Sequence, residues 1–193
     1  IVPGLIAVLA LINSILSGAL SIAREREEGT FDQLLVAPYT PGEILLGKGT
    51  ASVVTGIMQA VFVVLVAMFW FRIPFQGSIW LLSAALLFIV TAAAIGLCIS
   101  SFAQSLQQAI VGTFLLLVPM VMLSGFATPI SSMPEIFQSL TLLNPMRYGL
   151  ELIQRIFLEG ASFLDLWPLF AAIMAVTVVA VLAAVFSFHH KIS

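Results

Sequence analysis

Charge is what this chain has least of. Sixteen of its 193 residues are formally charged, 8%, against 61% hydrophobic residues and a mean hydropathy of +1.18. A soluble domain carries about 25% charged residues, so a water-soluble globular fold is excluded and an integral membrane protein is read. The net charge of −2 is too small to draw nucleic acid or another strongly charged partner. Cys98 is the sole cysteine and lies inside an apolar run, so neither an internal disulfide nor a cysteine metal site can form. The two histidines, His189 and His190, are adjacent; consecutive residues do not share a helix face, and they read as a solvated helix end. No HExxH zinc motif occurs. The apolar runs hold no carboxylate pair for acid–base work or for binding a driving proton. The segment GEILLGK, Gly42 to Lys48, has the spacing of a phosphate loop, but Gly49 follows where Ser or Thr must hold magnesium, and no strand precedes it. Its glycines, Gly42, Gly47 and Gly49, are read as close-packing positions at the foot of a span. No catalytic, cofactor-binding or metal-binding residue is assigned.

What the chain does have is long uncharged runs. Ile1 to Ile22 carries no charge and is long enough to cross an apolar core of about 30 Å at about 1.5 Å per residue. Further spans are read at 41–71, 79–99, 109–123 and 166–188. The second is longer than the bilayer is thick, so its first turns, Pro41 to Lys48, are expected in water. Arg72, Pro74, Gln76 and Gly77 are read as a tight turn, and the polar cluster Ser100, Ser101, Gln104, Ser105, Gln107 and Gln108 as the turn that cuts the uncharged run 73–134 into two spans. Pro119 marks a kink in the fourth. Asn13, Ser14 and Ser17 lie at helical spacing beside Gly18; they suit helix packing, and Asn13, Ser17 and Gln59 are also the candidates for lining a pathway. The chain opens inside an apolar run without a methionine or a basic leader and cleavage site, and an upstream part is expected.

Half of the charge, eight residues from Arg24 to Lys48, sits between the first two spans. A bilayer interior would not accept such a cluster. Within it Thr30 and Gln33 form a capping box for a short helix over 31–37, which Pro38 ends. Thr40, Pro41 and Glu43 start the next helix at once. Phe31, Leu34 and Leu35 share one side of the short helix. The acidic approach (Glu25, Glu27, Glu28, Asp32) disfavours anionic lipid as its cover, which leaves a protein partner.

Between Ser124 and Leu164, Pro129, Pro134 and Pro145 break the chain into short pieces. Two helices are expected, 134–142 and 146–158, at or within the membrane edge. Arg147, Glu151, Arg155 and Glu159 stand four apart, a ladder of alternating sign, with Leu150, Ile153 and Phe157 on the other face. Five spans put Arg24, Arg26, Lys48 and Lys191 on one side against Arg72, Arg147 and Arg155, a count that assigns the charged stretch to the cytoplasm.

Two stretches carry a resemblance. AREREEGTFDQLLVAP, Ala23 to Pro38, resembles the cytoplasmic coupling region of the membrane subunits of type 2 ATP-binding-cassette (ABC) transporters. LSGFATPISSMPE, Leu123 to Glu135, with LNPMRYGLELIQRIFLEG, Leu143 to Gly160, resembles the external re-entrant hairpin of the same family, bacterial exporter branch. The resemblance implies an all-α integral membrane fold with five transmembrane helices, the last five of an expected six. It adds a coupling region at 23–38 with its short helix, and an external hairpin at 124–162 that includes Pro129, Pro134, Pro145, Arg147, Tyr148, Glu151 and Arg155. It implies an inner-membrane permease that pairs with a second permease subunit, homo- or heterodimeric, and a periplasmic adaptor as a further candidate partner. Separate cytosolic ATPase subunits would hold ATP and magnesium and contact Glu28, Gly29, Thr30, Phe31, Gln33 and Leu34. A secondary transporter, or a membrane enzyme or scaffold, is the alternative.

Overall fold

A computed structural model describes residues 2–31, 40–70, 79–159 and 163–192. The expected short helix at 31–37 beyond its first residue, and the turn at 72–77, lie outside these residues. The described elements are helical: α1 (Val2–Glu27), α2 (Pro41–Phe69), α3 (Ile79–Phe102), α4 (Leu106–Met122), α5 (Glu135–Leu140), α6 (Pro145–Gln154) and α7 (Phe163–Ile192). Helices α1, α2, α3 and α7 are each long and apolar enough to cross a membrane. At 17 residues, α4 is about 26 Å long, slightly less than an apolar core of about 30 Å.

Local chemistry sets the helix starts. At Thr40 the Glu43 N–H donates to the threonine hydroxyl (3.4 Å), and Glu43 Oε2 accepts the Thr40 N–H (2.7 Å), so each side chain satisfies a backbone donor that the first turn leaves free. At α4 the Ser105 hydroxyl accepts from Gln108 N–H (3.2 Å), and Gln108 Oε1 accepts from Gln104 N–H (2.9 Å). The bend between α3 and α4 is only 103–105. Ser100 and Ser101, expected within that bend, instead occupy the last turn of α3 and are buried. A hydroxyl buried inside a bundle must find partners, and the Ser100 oxygen accepts from Ile22 and Ala23 N–H (3.1 and 3.0 Å).

The tightest seam joins α1 to α3. A methyl group at Gly96 would collide with Ile15 O and stand 2.9 Å from Ala19 N and 3.0 Å from Gly18 Cα; one at Gly18 would lie 2.7 Å from Ala93 O. Backbone therefore meets backbone, with Ser14 and Ala92 one turn before each glycine, the small-residue spacing by which membrane helices approach closely. Gly42 and Gly47, expected to be close-packing positions, have open space where a side chain would stand, and a methyl at Gly49 would only touch Leu97 at 3.4 Å.

Two main clusters fill the interior, beside a minor contact of Ala23 with Ala103 and Ala109. The larger one gathers Leu11 and Ile15 of α1, Phe88 of α3, Met146 and Leu152 of α6, and Ile173 of α7. Gly149 is what admits Phe88, since a methyl there would overlap the ring. The smaller cluster, at the opposite end, holds Ile22, Ile44, Leu45, Leu97, Ala184 and Phe188. Outside, α2 exposes Met58 and Phe62 and α4 exposes Val111 and Leu115, apolar faces that need lipid or a protein neighbour.

At the end away from the charged stretch, the chain leaves α4 through Gly125, whose φ of 88° is a left-handed conformation that other residues reach at a cost. Asn144 then performs two tasks: its Oδ1 accepts from Met146 N–H (3.0 Å) and caps α6, while its Nδ2 donates to Met120 O at the end of α4 (2.7 Å). Helix α6 buries Met146, Leu150, Leu152 and Ile153; α5 leaves Ile136 and Phe137 exposed. The expected charge ladder forms in part. Glu151 and Arg155 pair at 2.6 Å, but Arg147 donates to Thr141 Oγ1 (2.5 Å). Residues 155–159 are wound as a π-helix, and its wider turn breaks the four-residue register that would bring Glu159 beneath Arg155. Tyr148 O–H donates to Leu142 O (2.8 Å).

Candidate functional site: the charged foot of the bundle

The last turn of α1 makes the site. Three consecutive residues there reach three different elements, as successive positions about 100° apart on a helix can. Glu25 pairs with Lys48 of α2, both side chains mostly buried. Arg26 turns to α3: its Nη1 donates to Ser101 O (3.0 Å) and Ala103 O (2.9 Å), carbonyls that a helix C-terminus leaves without intrahelical donors. Glu27 turns to α4, its Oε2 accepting from Leu106 N–H (2.7 Å). Just beyond, Thr30 N–H and its hydroxyl both donate to Glu25 O (2.9 and 3.3 Å), and Gly29, at φ 71°, makes the turn that a side chain would strain. Phe31 follows. Its half-buried ring packs on the smaller apolar cluster and lies 4.8 Å below the Arg26 guanidinium, within cation–π range.

Of the six residues expected to contact an ATPase, Glu28 and Gly29 are exposed and Thr30 and Phe31 half-buried; Gln33 and Leu34 lie outside the described residues. The structure thus brings the first four together at the foot of the bundle. The candidate pathway residues stand elsewhere, on the α1–α2 seam. Asn13 and Ser17 are half-buried there, with Ser17 Oγ 3.4 Å from Thr55 Oγ1. Ser14 Oγ and Gln59 Oε1 are buried with no partner among the described residues. The hairpin residues Pro129, Pro134, Pro145, Arg147, Tyr148, Glu151 and Arg155 all lie at the opposite end.

Sequence reasoning placed the charges at the foot but missed the partners of Arg26 and Glu27. Those partners are backbone atoms some 75–79 residues away, which no spacing rule identifies. It also missed an apolar groove of about 480 Å³ between α2, α3 and α7, lined by Gly42, Leu46, Gly49, Ala94 and Val181. Gly42 and Gly49, two of the three glycines expected to be packing positions, line it instead. Among the described residues no three His, Cys, Asp or Glu side chains gather into a metal site. The foot ties the end of α1 to α2, α3 and α4.

The ion pair gives a direct check. Lys48→Glu sets a second carboxylate against Glu25 and is expected to lower the unfolding free energy by about 2 kcal/mol, short of the roughly 3–5 kcal/mol of a fully buried pair because water reaches both groups. The exchange Glu25→Lys with Lys48→Glu should recover most of that loss. Thermal unfolding of the four proteins in one detergent, read as a double-mutant cycle, measures it.

Four long apolar helices around a buried core, with a polar foot and a capped far end, define a multi-pass helical membrane protein. Comparison with known sequences narrows the class. The family model for "ABC-2 type transporter" matches residues 1–158. The Escherichia coli K12 protein "Probable multidrug ABC transporter permease YbhR" is 35% identical over 193 residues, all of this chain and 52% of that protein. "Inner membrane transport permease YhhJ", from the same strain, is 36% identical over 178 residues, 88% of this chain and 47% of its own length. "Probable multidrug ABC transporter permease YbhS" is 32% identical over 165 residues, 83% and 43%. The chain belongs to the ABC-2 type transporter family and spans about half the length of the relatives it matches.

Proposed function

We propose that this chain is the membrane half of an ATP-driven exporter. Two permease subunits would enclose the pathway, and soluble ATPase subunits would drive it through the short coupling segment at 31–37. The observation that carries this reading is the foot itself. The chain leaves α1 through Gly29 and Thr30, anchors the Phe31 ring under Arg26, and re-enters at the Thr40 cap. A segment rooted at both ends on the bundle transmits a push that a free loop would absorb.

On this reading α4 is a fifth span, its short length made up by the bend at Gly125; 124–162 is an external re-entrant hairpin; and the charged foot faces the cytoplasm of a bacterial inner membrane. The chain itself has no phosphate loop, so ATP and magnesium would belong to the partner. The apolar groove and flanks favour an amphipathic cargo, and the words "multidrug" in two relatives' names point the same way. A periplasmic adaptor would dock, if anywhere, on the exposed apolar side of α5. Co-purification tests the reading: the full-length permease, extracted in mild detergent, is expected to retain a soluble ATPase in stoichiometric amount. Recovery of the permease alone, with transport that persists when ATP is removed and a proton gradient imposed, would favour a secondary transporter.

A further inference from the structure

Arg26 and Glu27 are neighbours of opposite sign, and each meets the helix end of the opposite partial charge. Arg26 binds the terminal carbonyls of α3, where the helix dipole is negative, and Glu27 accepts from the first N–H of α4, where it is positive. Between those two ends lies only the bend 103–105. Arg26 also carries Phe31, the first residue of the coupling segment, beneath its guanidinium. The α3 side of the bend is held to α1 a second time, by Ser100; the α4 side is held by Glu27.

We infer that Arg26 and Glu27 are positioning residues that carry the displacement of the coupling segment into the α3–α4 bend, so that α4 moves with the ATPase although it is not joined to the coupling segment along the chain. This rests on the coupling reading above. The chain connects the segment directly only to α1 and α2. Without the two side chains, a push on Phe31 would reach α4 only through apolar packing, chiefly that of Ala23 of α1 against Ala103 and Ala109, which carries no directed bond. With them, the N-terminus of α4 is bonded to the turn that is pushed, a contiguous physical path rather than mere proximity.

Hydrogen–deuterium exchange on the full-length permease with its ATPase partner in nanodiscs tests this. Exchange over 28–38 and over 101–108 is compared without nucleotide and with the ATPase trapped by ADP and vanadate. In the parent complex both segments are expected to respond. The response at Leu106 should be about tenfold, the factor that a hydrogen bond to a charged group carries at the lower end of its range. In Arg26→Met/Glu27→Ala the response of 28–38 should persist while that of 101–108 falls below about twofold. The variable read is the nucleotide-dependent difference, which a merely structural loosening of the bend does not create. Should the double variant fail to assemble, Glu27→Ala alone is read at Leu106, since that side chain is exposed and leaves no hole; Glu27→Gln, which keeps an acceptor oxygen, should restore the response. Equal responses of the bend in parent and variant overturn the inference and leave the coupling reading intact. No response of 28–38 in the parent overturns both.

Discussion

Gly96→Val is expected to abolish the folded membrane domain. Ordinary overpacking in a core costs about 1–3 kcal/mol because side chains can shift. Here the atoms in the way are backbone: Ile15 O, Ala19 N and Gly18 Cα of α1. Backbone in a helix cannot rotate aside, so α1 and α3 must separate along the seam. Separation would also strain the Ser100 bonds to Ile22 and Ala23 N–H and the ties of Arg26. A loss of about 4 kcal/mol is expected, in the range reserved for failures of this kind and nearly all of the stability of a domain at the marginal end of about 5–15 kcal/mol. The measurement is thermal unfolding in detergent, with resistance to protease as the second readout. Gly47→Ala is the contrast, because nothing stands within 4 Å of the added methyl and alanine is the better helix former by up to about 1 kcal/mol. A Gly96→Val protein as stable as its parent would mean that the α1–α3 crossing differs from the one described.

The contrast between those glycines is also a measure of what the sequence discloses. The order of the helices followed from uncharged runs, and the Thr40 cap from its side-chain spacing, because both are local; of the five spans expected, four are helices long and apolar enough to cross a membrane. Which glycines matter was not local. Gly42, Gly47 and Gly49 stood out by density and packing was expected beside Gly18, yet Gly96, which completes the crossing with Gly18, was not singled out; the available signal was the small residue four positions before it, Ala92. The foot divides the same way. A cluster of alternating charge had to lie in water, so its place was legible; that Arg26 and Glu27 would seek the ends of α3 and α4 was not, since their partners are backbone groups defined only once the helices end. The charge ladder failed past Arg155 for a related reason. Equal spacing predicts alignment only on a regular α-helix, and 155–159 are not one.

Leu34→Asp is expected to disconnect the permease from its motor. On the proposed reading Leu34 shares the apolar side of the coupling segment with Phe31. Phe31 is committed to the bundle, so the burden of contact shifts to the residues beyond it. Burying one leucine is worth about 2 kcal/mol. An unpaired carboxylate placed at the same contact with the ATPase adds a cost of several kcal/mol unless it stays in water, in which case the contact is simply lost. A net change of about 4 kcal/mol corresponds to about a thousandfold weaker binding of the ATPase. Because Leu34 lies beyond the turn at Gly29, the fold of the membrane domain should be untouched. The expected signature is therefore a permease with parental thermal stability that neither retains the soluble ATPase nor stimulates its hydrolysis. Leu34→Met, which conserves volume and apolarity, should bind within about tenfold of the parent. Parental affinity and stimulation in Leu34→Asp would show that the motor grips the chain elsewhere, and the exposed Glu28 and Gly29 turn would be the next place to look.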